Sequence, residues 1–243
     1  MREVVAPRHR AADTGRTVIV GDVHGCSDEL QTLLDRVAFH TGDRLVFAGD
    51  LVARGPDSRG VLEIARRTGA IVVRGNHDAK ILGFREAARE KKRPPVNLGK
   101  NRVAVVESLT DPDWAVLETS SLYFDLPEHD VRVIHAGLIP GVPIEKQDPK
   151  VLLNVRTLSD GALWGARYLG PPHVVFGHNA VEKLQIHPWA TGLDTGCVYG
   201  GRLSALVLEH GERVPQDRAQ RMGRIVSVPA MRVYYDPVTK NPM

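Results

Sequence analysis

Residues 17–25 read Thr17-Val18-Ile19-Val20-Gly21-Asp22-Val23-His24-Gly25, and this stretch sets the first strand of the fold. A short β-branched run that stops at glycine is typical of a buried strand. The carboxylate of Asp22 and the imidazole of His24 are two positions apart just past the run, so both can face one point as the chain leaves the sheet. The stretch therefore predicts a strand with a pair of candidate metal ligands at its carboxyl end.

The same pattern returns four times along the chain. The apolar runs are residues 44–48, 70–74, 131–134 and 173–176, and they stop at Gly49-Asp50, Gly75-Asn76, His135 and Gly177-His178, respectively. Helical patterns, including Ser58–Thr68, fill both gaps between the first three runs, which predicts parallel crossovers and an α/β sheet. Because ligands bind beyond the carboxyl ends of such strands, we expect the polar residues at these ends to lie together.

The predicted fold class is α/β, or α+β in some schemes, with a βαβαβ core. After residue 178, short strands with turn glycines suggest an antiparallel second layer, and residues 231–235 are a candidate edge strand. Residues 79–121 carry helical stretches, so we expect a helical cap inserted between strands. The predicted organisation is a frayed arm over residues 1–16, one domain over residues 17–213 and a C-terminal extension over residues 214–243.

The composition excludes several classes of protein. Among 243 residues, 32 are Lys or Arg and 29 are Asp or Glu, and the net charge of +3 is too small for a coat that binds double-stranded DNA. No apolar run approaches the roughly 20 residues that cross a membrane, and none follows the arginine-rich start as in a signal peptide. Two cysteines cannot build a disulfide scaffold, which favours a cytoplasmic protein. Histidine and carboxylate side chains are therefore the candidate metal ligands.

The polar residues at the strand ends form a mixed set of nitrogen and oxygen donors. Such sets suit Mn, Fe, Zn or Co better than Ca. A single aspartate at the end of a parallel strand can bridge two cations with its two oxygens. Two cations roughly 3.5–4 Å apart can hold a phosphate for in-line attack and activate water, so the pattern predicts a two-metal phosphohydrolase.

Five motifs carry a resemblance to a known superfamily. They are Gly21-Asp22-Val23-His24-Gly25, Gly49-Asp50-Leu51-Val52-Ala53-Arg54-Gly55-Pro56, Gly75-Asn76-His77-Asp78, His135-Ala136-Gly137 and Gly177-His178. In this order they resemble the signatures of the calcineurin-like metallophosphoesterases, and most closely those of the phosphoprotein-phosphatase branch. The resemblance spans residues 17–209 and implies a β-sandwich flanked by helices.

The resemblance also implies a role for each motif residue. One metal would be held by Asp22, His24 and Asp50, and the other by Asp50, Asn76, His135 and His178. His77 would protonate the leaving oxygen, and Arg54 would bind a phosphate oxygen through its guanidinium. Arg167 and Tyr199 are weaker candidates, the first as a second phosphate clamp and the second as a contact to a base or a phosphate. Manganese is the expected metal, with cobalt, iron, zinc and magnesium as alternatives.

Two further stretches are similar to the symmetrical bis(5'-nucleosyl)-tetraphosphatases of this branch. They are Gly25-Cys26-Ser27-Asp28-Glu29-Leu30 and Leu193-Asp194-Thr195-Gly196-Cys197-Val198-Tyr199-Gly200-Gly201. The similarity implies hydrolysis of dinucleoside polyphosphates, diadenosine tetraphosphate to two ADP, with nucleotide-capped RNA 5' ends as an extension. The sequence departs from these patterns in two places. The segment between His135 and His178 is shorter than in that group, and Ala53 replaces the aspartate that orients the catalytic histidine in eukaryotic Ser/Thr phosphatases.

Two other functions fit parts of the sequence. A Ser/Thr or Tyr protein phosphatase would use the same metal core on phosphoproteins, with a peptide groove that a sequence does not reveal. An inactive scaffold that binds nucleotides or RNA would have lost metal ligands, and none of the motif ligands is lost. The sequence therefore favours a hydrolase of dinucleoside polyphosphates.

Overall fold

The computed structural model describes residues 15–93, 98–236, 238–239 and 241–242. Residues 1–14 of the predicted arm lie outside these ranges. Arg16 at the end of the arm is held in place, because its guanidinium donates to the carboxylate of Asp43 at 2.7 Å. Among the described residues, no helix has both the length and the apolar composition of a membrane span.

The described chain forms strands, α-helices and short 3-10 helices. The strands are β1 (Thr17–Val20), β2 (Arg44–Phe47), β3 (Ile71–Val72), β4 (Tyr123–Leu126), β5 (Val131–Ile134), β6 (His173–Phe176), β7 (Gln185–Ile186), β8 (Ala190–Gly192), β9 (Asp194–Thr195), β10 (Arg202–Leu208), β11 (Ile225–Pro229), β12 (Tyr235–Asp236) and β13 (Asn241–Pro242). The α-helices are α1 (Ser27–Arg36), α2 (Ser58–Thr68), α3 (Asn76–Arg89), α4 (Gly99–Ser108), α5 (Asp111–Glu118), α6 (Pro149–Asn154), α7 (Trp164–Arg167) and α8 (Arg218–Gly223). The 3-10 helices are Pro127–His129, Ile144–Lys146 and Cys197–Tyr199.

The first sheet contains the strands that end at the predicted site. Its order is β11-β10-β1-β2-β3, with β9 also paired to β10. The first three strands run parallel, with Ile19 opposite Val46 and Val46 opposite Ile71, so the predicted parallel crossovers are confirmed. Helices α1 and α2 make these crossovers, and α2 begins and ends where the sequence predicts.

The second sheet has the order β4-β5-β6-β8-β7. It is mixed, because β5, β6 and β8 are parallel while β4 and β7 run antiparallel to their neighbours. After residue 178, the expected antiparallel pairing is found for β7 with β8 and for β10 with its neighbours, but these strands do not form a layer of their own. β8 joins β6 in parallel, and β10 pairs with β1 in the first sheet. Turn glycines and apolar runs mark a strand but do not select its partner.

The two sheets pack face to face. Ile19, Val46 and Leu206 of the first sheet meet Val133 and Val175 of the second in one buried cluster. Helices α1 and α2 cover the opposite face of the first sheet, and α6 and α7 cover the opposite face of the second. The fold is thus a β-sandwich flanked by helices, as predicted.

Three helices lie between β3 and β4, where the sequence predicts an inserted cap. They are α3, α4 and α5. The first of them begins at Asn76, three residues before the predicted start of the cap. The insertion therefore begins within the predicted site, and its first turn carries His77.

The segment after residue 214 is built into the sandwich. β11 pairs antiparallel with β10, so the edge strand lies at Ile225–Pro229 and not at residues 231–235 as expected. Arg221 is fully buried and donates to backbone carbonyls of the second sheet's loops. Tyr234 donates its hydroxyl to the buried carboxylate of Glu29 at 2.7 Å. A domain boundary at residue 214 stays a prediction.

We predict that Tyr234→Phe lowers the free energy of unfolding by about 1–2 kcal/mol, because it removes a hydrogen bond to a buried carboxylate. Chemical denaturation measures the change. Tyr123→Phe is the matched control, since the Tyr123 hydroxyl makes no hydrogen bond within the part of the chain that the structure describes. A Tyr234→Phe variant as stable as the wild type would contradict the importance of this contact.

Candidate active site

Two glycines let the loops after β2 and β3 come into contact. Gly49 has a φ of +104°, and a Cβ added there would lie 2.8 Å from the Cα of Gly75. A Cβ added to Gly75 would overlap the backbone nitrogen and Oδ1 of Asp50. Since neither position has room for a side chain, the loops approach at backbone distance. This approach brings Asp50 and Asn76 together at the carboxyl edge of the sheet.

The buried carboxylate of Asp78 fixes these loops to each other. Its Oδ2 accepts the backbone N–H of Gly75 at 2.9 Å, and its Oδ1 accepts that of Leu51 at 3.1 Å. Asp78 also lies in the first turn of α3, where free N–H groups need acceptors. One side chain thereby joins the loop after β2, the loop after β3 and the start of a helix.

Asp50 lies at the centre of the predicted ligand set. Its Oδ2 is 3.5 Å from Nε2 of His24 and 3.5 Å from Nε2 of His135. Its Oδ1 accepts the backbone N–H of His77 at 2.8 Å, which fixes the orientation of the carboxylate. One oxygen atom is thus equidistant from two imidazoles on opposite sides.

The other predicted ligands lie on either side of this carboxylate. On one side, Oδ2 of Asp22 is 3.9 Å from Nε2 of His24. On the other side, Oδ1 of Asn76 is 3.1 Å from Nε2 of His135 and 3.2 Å from Nδ1 of His178. The structure therefore brings all six predicted ligands to two adjoining positions.

Hydrogen bonds to backbone carbonyls set the tautomers of the three histidines. Nδ1 of His135 donates to the carbonyl of Ala48 at 2.9 Å, and Nε2 of His178 donates to a carbonyl at 3.2 Å. Nδ1 of His24 faces the carbonyl of Val52 at 3.4 Å in the same way. The opposite nitrogen of each ring therefore presents a lone pair to the centre, an orientation usual for histidines that bind metals.

The donor atoms of this cluster fit divalent cations. Three ring nitrogens present lone pairs to the side-chain oxygens of two aspartates and an asparagine, so acceptors face acceptors. Such a convergence is unfavourable unless positive charge lies among the acceptors. Asp50 belongs both to a group with His24 and His77 and to a group with His135 and His178, and the ligand atoms of each group lie within 4.8 Å of one another. A carboxylate in this position can be shared by two ions.

Burial determines the charge of these groups. It lowers the pKa of His24 well below its usual value, that of His135 to about 4 and that of His178 to about 3, so the rings stay neutral and able to bind metal. It raises the pKa of Asp50 to about 6 and that of Asp22 well above its usual value. A cation at the centre would favour the ionised form of both carboxylates.

Arg54 reaches the His24 side of the cluster from the loop after β2. Its Nη1 is 3.1 Å from Nε2 of His24, and its guanidinium carbon is 5.4 Å from the ring centres of Tyr199 and Tyr235. Its buried Nε has no hydrogen-bond partner among the residues that are described. The structure thus places the predicted Tyr199 beside Arg54. It adds Tyr235, which no sequence motif marks.

His77 lies beside the cluster with a partner that the sequence does not reveal. Its ring centre is 4.9 Å from that of His24. Its Nδ1 is 3.2 Å from Nη2 of Arg102 on α4, so neutral His77 accepts a hydrogen bond there and holds its proton on Nε2. Asp78 does not orient the ring, because its two oxygens bond backbone N–H groups. In the eukaryotic Ser/Thr phosphatases, an aspartate at the position of Ala53 orients this histidine. Here Arg102 contacts Nδ1 of its ring instead.

Arg167 is not brought to the cluster. It is exposed at the end of α7 and pairs with Asp160 at 3.3 Å. The arginine beside His178 is Arg156, whose Nη2 donates to the backbone carbonyl of His178 at 3.4 Å. Its charge adds to the effect of burial in lowering the pKa of His135 and of His178. The structure therefore offers Arg156 as the cation on this side of the cluster.

The fold and the cluster agree with a comparison against known families. A model of the calcineurin-like phosphoesterases matches residues 15–214. The chain therefore belongs to the calcineurin-like phosphoesterase family, and it is a hydrolase. Members of this family use divalent metal ions, which agrees with the two groups around Asp50.

Two relatives with named activities resemble most of the chain. The asymmetrical bis(5'-nucleosyl)-tetraphosphatase PrpE of Halalkalibacterium halodurans is 31% identical over 219 residues, which cover 77% of this chain and 88% of the relative. A symmetrical bis(5'-nucleosyl)-tetraphosphatase of Vibrio parahaemolyticus is 31% identical over 274 residues, with 83% of this chain and 98% of the relative covered.

Solved structures share the fold. A crystal structure described as that of a candidate diadenosine tetraphosphatase is 37% identical, with a TM-score of 0.75 over 89% of this chain and 94% of the other. A Ser/Thr protein phosphatase of Saccharomyces cerevisiae superposes with a TM-score of 0.55 over 93% of this chain and 82% of the other. At 18% identity, the second match supports the fold alone.

We predict that Asp78→Asn lowers both stability and metal affinity. An amide cannot accept hydrogen bonds on both arms, so one backbone N–H loses its acceptor at a cost of about 1–3 kcal/mol. The loops after β2 and β3 then separate, which moves Asp50 away from the other ligands. Chemical denaturation and metal titration measure the two effects.

Asp113→Asn is the matched control for this variant. Asp113 is the third residue of α5, as Asp78 is of α3. It accepts the backbone N–H of Thr110 at 2.9 Å, away from the cluster. This control should lose stability and keep its metal affinity. Unchanged metal affinity in a folded Asp78→Asn variant would show that Asp78 does not hold the loops in place.

Proposed function

We propose that this chain hydrolyses dinucleoside polyphosphates at a centre of two divalent metal ions, with symmetrical cleavage of diadenosine tetraphosphate to two ADP. The observation that carries the proposal is the convergence of neutral imidazoles and carboxylates on Asp50, with Arg54 beside them. A phosphate at this position would meet positive charge on two sides. The two relatives above, both named bis(5'-nucleosyl)-tetraphosphatases, support a dinucleotide substrate.

Six side chains would hold the two ions. The first ion would bind Asp22, His24 and Asp50, and the second would bind Asp50, Asn76, His135 and His178. Manganese is the proposed metal, because it suits mixed nitrogen and oxygen donors. When bound, such ions polarise phosphoryl oxygens and lower the pKa of water. The carbonyls behind the three imidazoles keep the rings directed at the ions.

Two further side chains would bind and orient the phosphate. Arg54 has a free Nε and lies beside the rings of Tyr199 and Tyr235, so it can donate two parallel hydrogen bonds to one phosphate. His77 holds its proton on Nε2, the nitrogen that does not face Arg102. From this atom it can donate to the oxygen that leaves.

A cleft beside Arg54 has room for a nucleoside. Its volume is about 450 Å³, and it lies between residues 54–59 and α4, with Arg232 and Tyr234 also in its lining. This volume falls within the ~300–1,000 Å³ typical of sites for small molecules. A nucleoside joined to a phosphate on Arg54 could therefore occupy the cleft.

The position of the bond that breaks distinguishes two reactions of dinucleoside tetraphosphates. One of the relatives above is named asymmetrical and the other symmetrical. Symmetrical cleavage of diadenosine tetraphosphate yields ADP alone, whereas asymmetrical cleavage yields AMP and ATP. Activity on nucleotide-capped RNA ends and a cytoplasmic location stay predictions.

We predict that the purified protein with Mn converts diadenosine tetraphosphate to ADP as its one adenine product, as anion-exchange chromatography would show. Formation of AMP and ATP would contradict the symmetrical reaction. A phosphopeptide in the same assay tests the alternative of a protein phosphatase. Faster turnover of the phosphopeptide than of the dinucleotide would favour that alternative.

We also predict that Asp50→Asn lowers the activity by more than about 100-fold, because changes to groups behind metal ligands alone cost 10–100-fold. The neutral amide replaces the negative charge that the two ions would share, so the amount of bound metal falls as well. Elemental analysis measures the metal. Asp35→Asn on the exposed face of α1 is the control and should leave both quantities unchanged. Full activity of Asp50→Asn would rule out a shared carboxylate.

A further inference from the structure

Two cations of the inserted helices lie on the side of the cluster where His77 lies. Arg102 on α4 donates from Nη2 to Nδ1 of His77 and from Nη1 to the carbonyl of Leu98, both at 3.2 Å. Its buried Nε has no hydrogen-bond partner in the described parts of the chain. Lys80 is one turn after His77 on α3 and is half-buried. His77 is the proposed proton donor to the leaving oxygen, so Arg102 lies behind this donor, at its other ring nitrogen, and Lys80 lies one turn further along the same helix as His77.

These cations lie near the carboxylate of Asp50, which offsets part of their charge without forming an ion pair with them. Within the described ranges, no carboxylate lies at ion-pair distance from Arg54, Lys80 or Arg102. Burial lowers the pKa of Lys80, and the charge of Arg102 lowers it further. Burial and the charge of Arg54 lower the pKa of Arg102 in the same way. The three cations therefore repel one another, and an anion placed among them would relieve the repulsion.

Phosphopeptides and dinucleoside polyphosphates differ in the charge of the group that leaves. In hydrolysis, the oxygen of water bonds to phosphorus and the bond from phosphorus to the bridging oxygen breaks. The bridging oxygen leaves with the electron pair, and the proton from water goes to this oxygen or to solvent. The leaving group of a phosphoserine is an uncharged side chain, whereas that of a dinucleoside polyphosphate carries further phosphates. Cations grouped around the proposed proton donor thus match a leaving group that carries further phosphates.

We propose that Arg102 and Lys80 form a subsite for the phosphates of the departing nucleotide, an inference that rests on the proposed function. Arg102 would donate charge-assisted hydrogen bonds from its free N–H groups, and Lys80 would act as a point charge. The subsite selects substrates that carry phosphates on both sides of the bond that breaks. It therefore favours dinucleoside polyphosphates and nucleoside polyphosphates over phosphopeptides.

The subsite also gives a reason for the alanine at position 53. A phosphate leaving group has a pKa of about 6 and is stable as an anion at neutral pH. An alkoxide is far more basic and depends on a proton as it leaves, which an aspartate behind His77 would assist. Here the side chain of Ala53 is buried and inert, and Arg102 contacts His77 instead. Positive charge, more than proton donation, would then stabilise the leaving group.

Arg102→Gln tests the subsite against two substrates. We expect kcat/KM for diadenosine tetraphosphate to fall about 10–100-fold, as for the loss of a hydrogen bond to a charged group. The amide N–H of the glutamine can still donate a hydrogen bond to His77, so we expect kcat/KM for a phosphoserine peptide, whose leaving group has no phosphate, to change by less than about threefold. In inhibition experiments, ADP should bind more weakly to the variant while inorganic phosphate binds as before. Arg102→Lys should recover part of the ADP affinity.

Arg89→Gln is the control on the same insertion, because Arg89 is exposed and pairs with Glu118 at 2.8 Å. It should behave as the wild type, and thermal denaturation checks that all variants are folded.

Equal losses on both substrates, or equal weakening of ADP and phosphate binding, would show that Arg102 only orders His77 and would overturn the proposal. Unchanged ADP affinity in both Arg102→Gln and Lys80→Gln would overturn it too. A wild-type protein inactive on dinucleotides would contradict the proposed function. The inhibition by ADP and by inorganic phosphate would still show whether Arg102 and Lys80 bind the additional phosphate.

Discussion

The contact between the loops after β2 and β3 is the constraint on which the site depends. At Gly49 and Gly75 the two backbones meet, and the carboxylate of Asp78 bonds N–H groups of both loops. Asp50 is thereby held between the imidazoles that follow the neighbouring strands. The backbone and one buried carboxylate therefore hold the residues of the site in position before any ion binds. The centre consists of neutral imidazoles and acidic side chains and therefore lacks positive charge. Arg54, Lys80 and Arg102 around it carry positive charge.

The strand ends could be predicted because their signals are local. An apolar run that stops at glycine identifies β1 and β6 with their observed bounds, and a run that stops at His135 identifies β5. The geometry of parallel strands then places the residues after each run at one edge of the sandwich. The six predicted ligands meet there for this reason, and both the fold class and the phosphoesterase family are confirmed. Their roles as ligands stay a proposal.

Other features could not be predicted because they depend on contacts between distant residues. Nothing near β10 indicates that it pairs with β1, and Tyr234 meets Glu29 across 205 positions of the chain. Arg102 resembles the other arginines of its segment until α4 places it against His77. Tyr235 reaches Arg54 in the same way, through packing of the C-terminal segment. A sequence pattern specifies the type of an element far better than its distant neighbour.

The position of β10 between β1 and β11 has a consequence for how the chain folds. Thr17 pairs with Leu208, so the first strand lacks a neighbour on one side until the ribosome has made almost the whole sandwich. Contacts of such long separation slow folding, and an open strand edge beside apolar faces invites aggregation meanwhile. Protection of the nascent chain during synthesis, rather than the stability of the finished sheet, should therefore limit how much active enzyme a cell obtains.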